Sequence, residues 1–284
     1  MASFDYIKPT SLNNLINYVS QAKLEGAILA GGTDLLNKIR SGLITKRALF
    51  DISDLKEISA IADEGDNLRI GAAVRMREIA DSNVVRDSLP FLCMAAGQMG
   101  SPQIRNRATV GGNISSASPC ADSVPPLMAA GAKLKLRSQD GDREVSLENF
   151  MKDAGQTSIR DHEVLTDIIV PKLGVGCRSH FCKVGRRKAL AISVINLAGW
   201  LKTDPTGVVK DVKIVLGSVA PTAFRAKGAE AVLKGTIATR SIIQKAAKKA
   251  AEESSPISDI RGSEKERRLL VEAWTFRLIE VLTS

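Results

Sequence analysis

Two pairs of adjacent glycines are the residues best suited to hold a ligand. Gly31-Gly32 and Gly111-Gly112 each follow an extended or irregular segment and have small hydroxyl or amide side chains beside them. Glycine lets backbone N–H groups approach a ligand closely and adopt positive φ, so such loops bind anions without a charged side chain. The pattern indicates a diphosphate. Each pair is also compatible with an ordinary tight turn, and the residues alone leave both interpretations open.

Polar neighbours of the glycine pairs can supply further hydrogen bonds. Thr33, Thr109 and Asn113 can donate to a phosphate, and Asp122 can accept from a ribose hydroxyl. Neither pair fits the GxGxxG pattern, and no GxxxxGK[ST] occurs, so Rossmann and P-loop binding are disfavoured. The residues predict a dinucleotide-like ligand and do not identify it.

Metal ligands and nucleophiles are poorly represented. The chain has four cysteines with no CxxC pair, and His162 and His180 are its only histidines. Zinc and iron–sulfur sites need ligand spacings that these residues do not provide. We expect no metal site and no catalytic residue, with the thiols reduced.

The charge of the chain is unevenly distributed. The 284 residues carry a formal net charge of +9, which alone suggests a nucleic-acid or membrane-surface protein. Residues 1–174 contain 20 Lys and Arg against 21 Asp and Glu, whereas residues 175–284 contain 20 against 10. The basic residues of the last part alternate with Glu and few aromatics accompany them, which disfavours nucleic acid. We predict instead that Lys248, Lys249, Arg267 and Arg268 form a docking surface or provide solubility.

No segment has the roughly 18 consecutive apolar residues of a membrane span, and the N-terminus has Asp5 and Lys8 where a signal peptide needs an apolar stretch. The sequence therefore predicts a cytoplasmic protein without a membrane span. At 44% hydrophobic residues, the chain can bury a core in each of two domains. The glycines and proline of residues 171–176 predict the boundary, giving domains 1–174 and 175–284.

Hydrophobic periodicity predicts an α+β protein. In the first domain the predicted helices cover 12–19, 35–39, 84–99 and 122–130, and the predicted strands cover 27–30, 48–52, 68–72, 132–137, 143–145 and 164–170. Residues 100–126 are rich in Gly, Ser, Asn and Pro, which argues against a long regular element there. A loop of this length inside a compact domain is usually functional.

The second domain is predicted to contain a three-stranded antiparallel sheet with helices. The predicted strands cover 180–184, 192–202 and 208–219, and the predicted helices cover 223–233, 239–253 and 264–282. In the last helix, Leu270, Trp274, Leu278 and Val281 are predicted to face the core.

Several segments together resemble a known family. They are LAGGTDLL at 29–36, IRNRATVGGNISSASPCADSVPPLMAAGAKLKL at 104–136, VLTDIIVP at 164–171, FCKVGRRKALAISVINLAGW at 181–200 and SVAPTAFRAKGAE at 218–230. In this order they are similar to the FAD-binding, or medium, subunit of the molybdenum hydroxylases, the xanthine, nicotinate and carbon monoxide dehydrogenase group. The resemblance covers the whole chain.

The resemblance implies a two-lobed FAD-binding domain of the vanillyl-alcohol-oxidase type, with FAD between the lobes. One side of the diphosphate would be wrapped by Leu29, Ala30, Gly31, Gly32, Thr33, Asp34, Leu35 and Leu36. The other side would be wrapped by Thr109, Val110, Gly111, Gly112 and Asn113, in both cases through backbone amides. Asp122 would contact the adenosine portion, and Leu165 and Lys183 the flavin half, unless Lys183 is merely a solvated lysine.

The implied function is electron transfer within a dimer of heterotrimers. A large subunit with a molybdenum cofactor would oxidise a purine, N-heterocycle or aldehyde, a [2Fe–2S] subunit would relay electrons, and FAD in this chain would pass them to an acceptor such as NAD⁺. A stand-alone flavin reductase, a nucleic-acid-binding protein and an assembly scaffold without FAD are the alternatives.

Overall fold

The computed structural model describes residues 4–22, 25–187 and 190–284 and begins with a small parallel sheet. Its strands are β1 (Asp5–Ile7), β2 (Gly26–Leu29) and β3 (Ala48–Asp51), in the order β1-β3-β2. Helix α1 (Leu12–Ala22) packs on this sheet because Leu12, Leu15, Ile16 and Val19 recur at helical spacing and are buried. Helix α2 (Leu35–Arg40) follows the first glycine pair. We call this unit the first lobe.

A five-stranded antiparallel sheet forms the second lobe. Its strands are β4 (Ile61–Glu64), β5 (Asn67–Gly71), β6 (Lys133–Ser138), β7 (Gly141–Ser146) and β10 (Val164–Pro171), in the order β4-β5-β10-β6-β7. Strands β8 (Met151–Asp153) and β9 (Gln156–Thr157) form a separate ribbon. The turn between β6 and β7 uses Gly141, whose φ of 121° explains why a hairpin forms there.

Short helices connect β5 to β6. They are α3 (Met76–Asp81), α4 (Asn83–Ser88), α5 (Pro90–Gln98), α6 (Pro102–Arg105), α7 (Val110–Ser115) and α8 (Val124–Ala129), with α9 (Leu147–Phe150) after β7. The single helix predicted over 84–99 is wrong, because proline disfavours a helical conformation in the residue before it. Leu89 accordingly leaves the helical region (φ −143°, ψ 61°), and Pro90 begins a new helix.

The C-terminal part has one antiparallel sheet covered by helices. Its elements are β11 (Cys177–Gly185), β12 (Ser193–Thr203), β13 (Val209–Gly217), β14 (Phe224–Arg225), α10 (Lys227–Leu233), α11 (Arg240–Glu253) and α12 (Glu264–Thr283). The three predicted strands are present, but within the described residues the sheet has a fourth, β14. Phe224 and Arg225 pair with Leu216 and Val215, so the helix predicted from 223 begins only at Lys227.

Helix α12 buries the predicted Leu278, and the predicted Leu270 and Trp274 are partly buried against the same core, but the prediction for Val281 is wrong. Its buried residues are Arg267, Val271, Thr275, Leu278, Ile279 and Leu282, whereas Val281 is half exposed. The Arg267 side chain is 1% exposed and pairs with Asp259, so the predicted docking role of Arg267 is wrong. No helix in the described part of the chain is long and apolar enough to cross a membrane.

One hydrophobic core continues from the second lobe into the C-terminal sheet. Phe181, Ala198 and Val215 of that sheet belong to the same buried cluster as the strands and helices of the second lobe. Strand β12 packs between α8 and α12, which is why its residues are buried on both faces. The Trp200 indole also donates to Ala129 O at 2.7 Å. The two parts of the chain are therefore closely packed.

Candidate functional site

A groove between the two lobes contains both glycine pairs. Its first cavity, about 300 Å³, and its second, about 400 Å³, are of the size that binds small molecules. The cavities share the walls Ala27, Ile28, Ala30, Gly112 and Ser115. Strand β2 supplies the apolar side of the groove and is only half buried, because the groove leaves one of its faces uncovered. Sequence reasoning missed Ala27 and Ile28, which it treated as ordinary core.

The first glycine pair brings the lobes into contact. A Cβ on Gly31 would lie 2.0 Å from Arg107 O and 2.9 Å from Ala108 Cα, so only glycine fits against this backbone. Gly32 has a φ of 73°, the left-handed conformation that glycine adopts most readily. The predicted tight turn and the predicted close approach therefore coexist at these two residues.

The backbone amides of the first glycine pair and of the three residues after it are free to bind a ligand. Within the described residues, the N–H groups of Gly31, Gly32, Thr33, Asp34 and Leu35 donate to no acceptor in the chain. Gly31 to Leu35 all line the second cavity. Unpartnered N–H groups at such a turn form an anion-binding concavity. The apolar side chains of α2 are only half buried, so this side of the groove is also apolar enough to cover a ligand.

The second glycine pair was predicted to offer its backbone amides to a ligand, but these amides are already hydrogen-bonded within the protein. Val110 N donates to Val74 O, Gly111 N to Ala72 O, and Gly112 N to Thr109 Oγ1. These amides are satisfied within the protein, so side chains of this segment must contact a ligand instead. The Thr109 hydroxyl and the Asn113 side-chain amide are among those that line the second cavity. A Cβ on Gly111 would lie 2.6 Å from Ala72 O, which explains why glycine is needed there.

The first cavity ends at the buried carboxylate of Glu163. Leu165, which is buried, lines this cavity together with Arg160 and Glu163. Burial alone would raise the pKa of Glu163, but hydrogen bonds from Arg143 and from Arg160 N more than offset this and lower it. The carboxylate therefore stays charged at neutral pH and fixes the position of this wall.

Asp122 and Lys183 lie together, outside these two cavities. Lys183 Nζ is 2.5 Å from Asp122 Oδ2 and donates to Gln98 O at 3.1 Å. The other carboxylate oxygen of Asp122 accepts from Ser193 Oγ (2.7 Å) and Asn196 Nδ2 (2.8 Å). The side chains of Asp122 and Lys183 are 5% and 7% exposed. Lys183 is thus a paired, buried lysine and not a solvated one.

Lys183 also lines a third cavity of about 750 Å³. Helix α6 borders both this cavity and the second one, since Ile104 lines the second and Pro102 and Arg105 line the third. Lys183 and Leu165 therefore line different cavities, the third and the first. Sequence reasoning missed Arg105 and Trp274 of the third cavity, and no local motif marks them.

Comparison with known proteins identifies the family. Residues 2–173 match the model of the FAD binding domain in molybdopterin dehydrogenase, and residues 180–282 match that of the CO dehydrogenase flavoprotein C-terminal domain. The chain belongs to the FAD-binding subunits of the molybdenum hydroxylases. It is accordingly an FAD-dependent subunit of an oxidoreductase, as the sequence motifs predicted.

Individual relatives agree with this assignment. The chain is 33% identical to the nicotinate dehydrogenase FAD-subunit of Eubacterium barkeri, over 83% of this chain and 81% of that protein. It is 32% identical to the xanthine dehydrogenase FAD-binding subunit of Escherichia coli O157:H7, over 96% and 94%. Its fold matches carbon monoxide dehydrogenase from Hydrogenophaga pseudoflava with a TM-score of 0.95 at 29% identity, over 99% of this chain and 97% of that one.

The chemical groups that line the groove fit FAD. Unpartnered amides at Gly31 to Leu35 suit a diphosphate, the close contact at Gly31 leaves the backbone exposed to it, and β2 and α2 offer apolar walls.

Proposed function

We propose that the flavoprotein holds FAD along the groove and transfers electrons between partner subunits and an acceptor. The unpartnered amides of Gly31 to Leu35 are the observation that carries this proposal. They would bind one side of the diphosphate, and the Thr109 hydroxyl and the Asn113 amide would bind the other. The remaining predicted residues support these loops. The side chains of Leu29 and Leu36 occupy the space that a Cβ on Gly32 would need, and Val110 and Gly111 anchor α7 to the second lobe.

The first and third cavities suit different halves of FAD. The first cavity, with Ile28, Phe50 and Leu165, is apolar and would take the adenine. The third cavity carries the cations Lys183, Arg105 and Arg186, which would stabilise the negative charge of a reduced isoalloxazine ring. We therefore assign Lys183 to the flavin half and Leu165 to the adenosine half, with Asp122 holding Lys183 in place. The domain division at residue 174 is part of this proposal.

The electron path runs through partner subunits. FAD supplies the ability to handle both one- and two-electron steps. By analogy with the relatives, a [2Fe–2S] subunit would deliver electrons from a molybdenum subunit that oxidises a purine, N-heterocycle or aldehyde, in a dimer of heterotrimers. NAD⁺ would be the acceptor. The residues of this chain bind and orient the cofactor, and no side chain needs to act as an acid or base.

Anaerobic mixing of the FAD-loaded chain with NADH tests the acceptor. If NAD⁺ is the natural acceptor, the reverse transfer should bleach the visible absorbance of the oxidised flavin. Lys183→Met should slow this bleaching, while Lys248→Met, on the exposed face of α11, should leave it unchanged. A flavin that NADH does not reduce would exclude NAD⁺ as acceptor.

A second assay separates the electron-transfer subunit from a stand-alone reductase. The loaded chain alone should oxidise NADH without turning over purines, N-heterocycles or aldehydes, because those substrates would bind the molybdenum subunit. Turnover of such a substrate by the isolated chain would contradict the proposed division of labour.

A further inference from the structure

A short loop joins the flavin groove to the C-terminal part. Residues 117–123, which we call the latch loop, connect α7 to α8, and α7 begins at the second glycine pair. The loop contacts the C-terminal part at three points. Pro119 O accepts from Ser218 N at 2.8 Å, Cys120 Sγ accepts from Arg261, and Asp122 accepts from β11 and β12. Among the described residues of the C-terminal part, none lines the first or second cavity.

The contact at Asp122 is the strongest of the three. Asp122 is 4% exposed, and its three side-chain donors, Lys183, Ser193 and Asn196, all lie in the C-terminal part. Ser193 and Asn196 are each 1% exposed. A buried carboxylate requires its full set of donors, because each unmet hydrogen bond leaves a desolvated charge uncompensated. The position of Asp122 is thus fixed by the C-terminal sheet.

The next residue extends this connection to the groove. Ser123 Oγ donates to Asn113 Oδ1 at 2.7 Å, and Ser123 is 1% exposed. With its oxygen engaged, the Asn113 side chain directs its NH₂ group elsewhere, and Asn113 lines the second cavity. One peptide and two hydrogen bonds therefore link Ser193 to a ligand-binding side chain.

We propose that Ser193 and Asn196 are positioning residues for FAD, acting through Asp122, Ser123 and Asn113. This inference rests on the proposed function. The C-terminal part thereby influences the affinity of the first and second cavities, which none of its described residues lines. FAD in turn tightens the contact between the two parts, since coupling of binding equilibria is reciprocal.

Ser193→Ala in the full-length chain tests the inference. The variant removes one donor from Asp122, and we expect the FAD dissociation constant, measured by quenching of flavin fluorescence, to rise about tenfold. Ser193→Thr keeps the hydroxyl and should restore the affinity. The near-ultraviolet circular dichroism of each apo-protein shows that it is folded.

Trp200→Phe is the matched control. It deletes the hydrogen bond from Trp200 to Ala129, which also joins the two parts but does not involve the latch loop. Thermal unfolding of the apo-protein should shift downward for both variants, whereas the FAD dissociation constant should rise for Ser193→Ala alone.

Two results overturn the inference: an unchanged dissociation constant in Ser193→Ala, or an equal rise in both variants, which would show a general effect of weakened packing. Failure of the wild-type chain to bind FAD would instead refute the proposed groove itself, so the two failures are distinguishable.

Discussion

Replacing Gly31 by alanine should separate the two glycine loops. The added Cβ would lie 2.0 Å from Arg107 O, 2.6 Å from Arg107 C and 2.9 Å from Ala108 Cα. These are backbone atoms that cannot rotate away, and real Cβ atoms stay beyond 3.0 Å. The loops must therefore move apart by about 1 Å, the difference between 2.0 and 3.0 Å.

The energetic cost appears mainly in ligand binding. Without FAD the loops can relax outward, but FAD bridges both and returns them to their original spacing, so the bound state carries the strain. Overpacking of this kind costs about 1 to 3 kcal/mol. If binding carries the whole cost, the FAD dissociation constant rises about 5- to 150-fold.

A fluorescence titration of FAD into the apo-protein measures this effect. Gly174→Ala is the matched control, because a Cβ there meets nothing within 4 Å and its φ is not in the left-handed region. We expect this control to bind FAD like the wild type. A folded Gly31→Ala protein that binds FAD within about twofold of the control, a difference of roughly 0.4 kcal/mol, would refute the assignment of the loops.

Three further outcomes test the electrostatics. Folding lowers the pKa of Glu163, so its carboxylate stabilises the folded protein above the ordinary pKa of 4.5, and this stabilisation is lost as pH falls below that value. Urea unfolding across this pH range should therefore show a smaller decrease in the free energy of unfolding for Glu163→Gln than for the wild type. Arg267→Glu should lower the free energy of unfolding by about 3 to 5 kcal/mol, because it places an unpaired carboxylate at a position that is 1% exposed, beside Asp259. Arg268→Glu, at an exposed pair, should lower it by less than about 1 kcal/mol, and equal losses would contradict the burial of Arg267. Burial raises the pKa of the Cys182 thiol to about 11, so iodoacetamide at pH 8 should label it more slowly than Cys93, and equal rates would contradict this.

The conformation of the first glycine loop was predictable because it depends on neighbouring residues. The conformational freedom of a glycine pair and the hydrogen-bond donors beside it can be recognised from four or five consecutive residues. The same local rules predicted α1, the hairpin at Gly141 and the three long strands of the C-terminal sheet. The family resemblance added FAD, which spacing alone did not identify.

The pairing of the amides was not predictable from the sequence. Both glycine pairs predict amide donors, yet those of Val110 to Gly112 are satisfied by Val74, Ala72 and Thr109. Two of these acceptors lie about 40 residues away along the chain, and only the packing of α7 on the second lobe brings them together.

Long-range pairing explains the other differences as well. Asp122 and Lys183 are 61 residues apart and were predicted to contact opposite halves of FAD, but the packing of β11 and β12 against the latch loop makes them partners. Arg267 resembled a surface residue because it lies among other basic residues, and Asp259 allows its burial.

Hydrogen–deuterium exchange of the apo- and FAD-loaded chain tests the central claim most directly. FAD should slow exchange most at the amides of Gly31 to Leu35, which have no acceptor in the described part of the chain, and less at Val110 to Asn113, which already donate within the protein. FAD that binds with full occupancy and leaves exchange at Gly31 to Leu35 unchanged would contradict the account.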